Sequence, residues 1–163
     1  MRFFKALAIY IAADLLCLFI DLTFSVMDNP LIKALNAVCS AGIMIIMLAS
    51  FAMKSAAEDM KQERRSGVSS CRYAVQSAFG TALVPFASWI ALMFSLGSEP
   101  GLYRWHKLLN AGFLRIYNVI EQSAYSSDVS AGEAFLMLPL AIVPPASFIV
   151  TYALVKKGII SAE

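Results

Sequence analysis

Apolar residues along this chain gather into four runs, at about 3–26, 31–53, 73–96 and 135–155, with polar stretches between them. Each run is close to the roughly 20 residues a helix needs to cross about 30 Å of hydrocarbon. A barrel strand would need only about 9–11 alternating residues, so helices are the structures that fit these lengths. The expected fold is an all-α integral membrane protein, with a single four-helix transmembrane domain over 1–163. The first run begins with Arg2 and Lys5, as a signal peptide would. It is too long for a typical apolar core of such a peptide, Asp14 interrupts it, and no small-x-small cleavage site follows. It reads as a retained helix.

The polar positions between the runs set the expected orientation, because Lys and Arg gather on the cytoplasmic side of a membrane. Of the 13 Lys and Arg residues, Arg2, Lys5, Lys54, Lys61, Arg64, Arg65, Arg72, Lys156 and Lys157 share one side. Lys33, Arg104, Lys107 and Arg115 share the other. Both termini and the 54–72 loop are therefore expected in the cytoplasm of a multi-pass cell-membrane protein. That loop is rich in Ala, Glu, Met, Lys and Gln, which favour helix. The second span should run on to about Arg65, with Gly67 as its stop.

The extracytoplasmic segment 97–132 opens on a loop signal, Gly97-Ser98-Glu99-Pro100-Gly101. Leu102, Trp105, Leu109, Phe113, Ile116 and Ile120 then recur at helical spacing, opposite Arg104, Lys107, Ala111, Arg115, Asn118 and Gln122. A central Arg or Lys costs about 2.5–3.5 kcal/mol on the insertion scale, which argues against a fifth span. The expectation is one amphipathic helix, Leu102 to Ile120, between the third and fourth spans, lying on the outer surface or capping the bundle. Trp105, Tyr103 and Tyr117 would sit in the headgroup layer.

Composition agrees: 60% of the residues are hydrophobic and 15% charged, against about 25% charged in soluble domains. Cys17 and Cys39 fall inside spans and Cys71 on the cytoplasmic side; the number is odd and there is no CxxC, so a structural disulfide is not expected. His106 is the single histidine and has no clustered ligands near it in sequence, so no metal or cofactor is implied. Nothing points to nucleic acid.

Polar residues inside the spans are the candidate chemistry. Asp14 sits near the middle of the first span, seven residues from Asp21, so both share a face. An intramembrane acid is costly and should face an interior, a water path or another subunit. Its partners are expected among Asn36 and Ser40, or Gln76, Ser77 and Thr81. Asp21, nearer the outer surface, is expected to be solvated or paired with Lys33. Pro85 and the pair Pro144-Pro145 are candidate helix breaks, with Pro139 nearby. Small residues recur at Ala8/Ala12, Ala37/Ala41 and Ala74/Ala78/Ala82, a spacing that lets helices approach closely within one bundle, in a homo-oligomer or against a membrane partner. The leading expectation is a non-enzymatic subunit or interaction protein of a membrane complex. The alternative is a small proton- or cation-coupled transporter using Asp14; a lipid-acting membrane enzyme comes third.

The topology is testable by cysteine labelling in a background without native Cys. A cysteine at 125 should react with an impermeant reagent from outside and one at 61 should not; the reverse pattern contradicts the orientation.

Overall fold

The computed structural model describes residues 2–27, 29–67, 72–98 and 101–160, so Asp28, Cys71, Glu99 and Pro100 lie outside the described residues. The protein is all-helical among those residues. Four helices are long and apolar enough to cross a membrane: α1 (Arg2–Phe24), α2 (Pro30–Ser66), α3 (Arg72–Ser95) and α6 (Ala131–Lys156). Two short helices, α4 (Leu102–Leu108) and α5 (Leu114–Ile120), fall between α3 and α6. The long helices pack as a ring in which α1 meets α2 and α3, and α6 meets α2 and α3.

Local chemistry sets the helix ends. Asn29 caps α2 by accepting from the Leu31 amide at 2.9 Å, with Pro30 at the first helical position. At 37 residues, α2 is about 55 Å long at 1.5 Å per residue, far more than a span needs. It ends at Gly67, whose φ of 68° places it in the left-handed region and whose N–H donates to the Glu63 carbonyl. The expected extension and its stop are both present. Ser130 and Glu133 form a capping box that starts α6 four residues before the apolar run begins.

The end of the bundle from which the α2 extension projects is held by a polar clamp. Arg2 of α1 pairs with Asp59 of α2, whose residue is 2% exposed, and lies 4.6 Å over the Tyr73 ring of α3. Tyr152 of α6 donates to Asp59 at 2.8 Å, and Lys156 pairs with Glu63. One carboxylate thus gathers α1, α2 and α6, and a buried ion needs such partners to be tolerated. Beside it, Ala6, Phe51, Ala52, Ala56, Phe148 and Tyr152 form an apolar core. α1 and α3 cross closely because Gly80 lacks a side chain: a Cβ there would stand 2.6 Å from the Phe3 carbonyl oxygen and 2.9 Å from Ala6 Cβ.

Two expectations are corrected. The outer segment is not one surface helix. It is a helix–turn–helix in which α4 and α5 are separated by a 3-10 turn, Ala111–Phe113, wedged against α1 and α2. Gly112 faces the Met44 side chain, midway along the apolar portion of α2: a Cβ there would stand 3.1 Å from Met44 Cβ, so a larger residue would have to push that side chain aside. His106 and Lys107 of α4 face inward, while Arg104, Trp105 and Leu109 are exposed. The physical reason is that polar partners await both: Ser88 of α3 for His106, and Asn118 and the carbonyls of Glu121 and Ser123 for Lys107.

The prolines, secondly, do not break their helices: α3 is continuous through Pro85, and α6 through Pro139, Pro144 and Pro145. Pro85, Pro144 and Pro145 are buried in the packing. The Ser88 and Ser147 hydroxyls donate to the carbonyls of Pro85 and Pro144 themselves, at 3.0 and 2.8 Å.

Gly80→Leu should overpack the α1–α3 crossing and destabilise the protein by about 1–3 kcal/mol. Gly42→Ala is the control, since its Cβ meets nothing within 4 Å; the helix gains up to about 1 kcal/mol from Gly→Ala there. Thermal melting in detergent checks both, and equal melting of the two variants would contradict the close crossing.

Candidate functional site: a sealed polar core

The buried residues of α1 follow one stripe, Ala6, Tyr10, Ala13, Asp14, Cys17 and Asp21. Helical spacing puts both acids on it, as expected. Their partners come from the outer segment. Asp14, 7% exposed, accepts from the Ala111 amide at 2.5 Å, and the Gly112 amide points at the same carboxylate. The first N–H groups of any helical turn have no partner within it, and Asn110 provides no side-chain cap. Asp14 supplies that cap from another helix.

Asn110, fully buried, ties the turn to its surroundings. Its Oδ1 accepts from Tyr10 at 3.0 Å, and its Nδ2 donates to the Ser88 hydroxyl at 2.9 Å and to the His106 carbonyl at 2.8 Å. Tyr10 also reaches the Leu109 carbonyl at 3.0 Å. His106 Nδ1 lies 3.0 Å from the same Ser88 hydroxyl. That hydroxyl donates to the Pro85 carbonyl, so the network assigns the proton of the His106 ring to Nδ1. Its Nε2 is then an acceptor, and among the described residues neither it nor the Tyr117 hydroxyl has a hydrogen-bond partner. The two rings meet edge to face at 5.0 Å.

A second cluster sits nearer the outer end. Asp21, 2% exposed, accepts from Arg115 Nε at 3.0 Å and from the Asn36 amide, while Arg115 Nη2 donates to the Asp21 carbonyl oxygen. Ser40 donates to Asn36, and the Cys17 thiol to the Ser40 carbonyl. At the mouth of the hairpin, Lys107 donates to Asn118 and to the carbonyls of Glu121 and Ser123, at 2.8–2.9 Å, and lies 4.2 Å over the Tyr103 ring. Burial pushes its amine down to about 8, partly countered by the charge of Glu121.

Asp14 and Asp21 thus share a stripe of α1 but belong to separate clusters: Asn36 serves Asp21 rather than Asp14, and Ser40 bonds Asn36. Asp21 pairs with Arg115. Gln76 lies apart, lining a shallow groove with Phe3, Phe4, Val75 and Phe79. Tyr103 and Tyr117 are fully buried rather than interfacial, because each contributes to the core against Leu92, Phe113 and Met137; Trp105 is 55% exposed. Tyr10, Ser88, His106, Asn110 and Arg115 join the site without having been singled out for it. The readable signal was Asn110-Ala111-Gly112 in mid-pattern, since Asn and Gly are poor helix formers. Comparison with known proteins finds no family model, no curated protein and no solved structure that matches the chain, so the functional reading rests on this geometry.

Asp14→Leu removes the acceptor and should cost about 1–3 kcal/mol, the range for leaving buried polar groups unpaired. Asp14→Asn keeps an acceptor oxygen and should melt close to the parent. Equal stability of Asp14→Leu and the parent would contradict the capping role.

Proposed function

We propose that the chain is a multi-pass membrane protein in which α1, α2, α3 and α6 span the bilayer, with both ends and the α2 extension in the cytoplasm. The α4–α5 hairpin re-enters the bundle from the outer side. Non-helical backbone at membrane depth is tolerated where protein buries it, and Asp14 and Asn110 meet that requirement here. Within this frame the protein works as a non-enzymatic subunit or interaction partner of a membrane complex.

The observation that carries this reading is the sealing of Asp14. A coupled transport site needs water or substrate at its acid. Asp14 instead caps backbone amides, and the grooves described on this molecule are not lined by it. The outside of the bundle is where contacts are available. Ala8 and Ala12 lie on an exposed face of α1, and Ala74, Ala78 and Ala82 run along an open groove of about 570 Å³ against Pro145, Phe148 and Ile149 of α6. Small-residue rows of this kind admit a neighbouring helix.

Proton- or cation-coupled transport is the second reading. It is favoured by the unpartnered His106 Nε2 and Tyr117 hydroxyl, the latter within Coulombic range of Asp14. Hydration of that interior would make the three groups a relay.

Flux through proteoliposomes separates the two. The subunit reading expects no proton or cation flux that depends on Asp14. It also expects the chain, extracted from its native membrane in mild detergent, to migrate in an assembly larger than the purified chain alone. Flux abolished by Asp14→Asn in a folded protein would overturn it.

A further inference from the structure

At the end of the bundle from which the α2 extension projects, each described carboxylate already has a cation of this chain beside it. Asp59 pairs with Arg2, Glu58 lies 3.7 Å from the same guanidinium, and Glu63 pairs with Lys156. Other cations are left over. Lys61, Arg64 and Arg65 of α2, Arg72 at the start of α3 and Lys157 just past α6 are exposed. Among the described residues, none of them pairs with a carboxylate.

Cross-helix contacts set the depth of these cations. The apolar runs of α1 and α6 stop at Phe3 and Val155, next to Arg2 and Lys156. Those two residues pair with Asp59 and Glu63, so the apolar surface of the bundle ends at that level, past Met53, where the apolar run of α2 itself stops. Lys61, Arg64 and Arg65 lie about 3–9 Å beyond Asp59 along the helix axis. Arg72 is at the same level, since the ring of the next residue, Tyr73, lies 4.6 Å under Arg2. The headgroup layer of a leaflet is about 5–8 Å thick. The cations thus reach phosphate depth, and α2 stops there, at Gly67. Ile159 and Ile160, shortly after Lys157, are exposed. Apolar side chains beside cations fit the boundary between hydrocarbon and headgroup.

We propose that this basic rim binds the headgroups of anionic glycerophospholipids in the leaflet at that end, with Arg64 and Arg65 as its principal contacts. The inference rests on the membrane placement above and needs neither its orientation nor the subunit reading. Charge complementarity selects the headgroup, because each Lys or Arg near an anionic membrane surface adds attraction. The two arginines also present planar forks that match phosphate oxygens. Depth selects lipid over a soluble acidic partner: cations a few ångströms past the apolar edge meet headgroups before they meet solvent.

The test uses the full chain, purified in detergent with equal amounts of phosphatidylglycerol and phosphatidylcholine, and counts the lipid that co-purifies by mass spectrometry. Phosphatidylglycerol should be retained over phosphatidylcholine by about fivefold or more, the value of one cation near a charged membrane surface. Raising the salt to about 1 M, where charges are screened within about 3 Å, should reduce that preference. The double variant Arg64→Gln/Arg65→Gln should lower phosphatidylglycerol retention by about fivefold or more at an unchanged melting temperature. Arg104→Gln, an exposed cation at the opposite end, should leave it unchanged. Equal retention of the two lipids, or an equal loss in both variants, overturns the proposal. Inorganic phosphate or an oligoglutamate peptide that displaces the lipid from the parent at equal concentration overturns the lipid assignment, in favour of a free anion or a soluble acidic partner. Membrane placement is checked separately, by whether the chain needs detergent to leave the membrane fraction, so the two readings fail independently.

Discussion

Backbone amides that interrupt a helix inside an apolar bundle need an acceptor, and in this protein the acceptor is the Asp14 carboxylate. The position of the outer hairpin depends on that contact. With Ala111 and Gly112 held at mid-bundle, Asn110 comes within reach of Tyr10 on α1 and Ser88 on α3, and Gly112 seats against Met44 on α2. Further out, Arg115 returns to α1 at Asp21. One stripe of α1 therefore contacts the hairpin at two depths, through the two acids that would otherwise be the most costly residues in the helix. The hairpin and the acids supply each other's polar partners.

The opposite end of the bundle is organised by the same economy of charge. Asp59, on the portion of α2 that runs past its apolar run, receives Arg2 and Tyr152. A buried carboxylate in each case serves as a hub between helices whose other contacts are apolar and weakly directional. Lipid provides little driving force to join apolar helices, so small residues at crossings and polar hubs carry more of the specificity. Gly80 supplies the close crossing, and Asp14, Asp21 and Asp59 supply the hubs. The grooves that remain lie on the outside of the bundle.

The four long helices were legible because a run of about 20 apolar residues has one regular solution in lipid. The extension to Gly67 was legible from local propensity, and the shared face of Asp14 and Asp21 from their spacing. The hairpin was not. Its alternation of cations and aromatics is that of a surface helix, and the local pattern is the same whether the polar side meets water or a polar core. The deciding partners lie 94 and 97 residues away in sequence, at Asp21 and Asp14. For the same reason Tyr103 and Tyr117 read as interfacial when they are buried, and Asp14 was matched to the wrong helices. The prolines were candidate breaks by local rules, and α3 and α6 run on through them.

Amide hydrogen exchange across 108–114 tests the central claim most directly, with the purified chain in lipid nanodiscs. If Asp14 caps the turn inside the bundle, the Ala111 and Gly112 amides exchange as slowly as the long helices, and Asp14→Leu speeds them while leaving α2 and α6 protected. Rapid exchange of these amides in the parent protein, or protection that survives Asp14→Leu unchanged, would contradict the account.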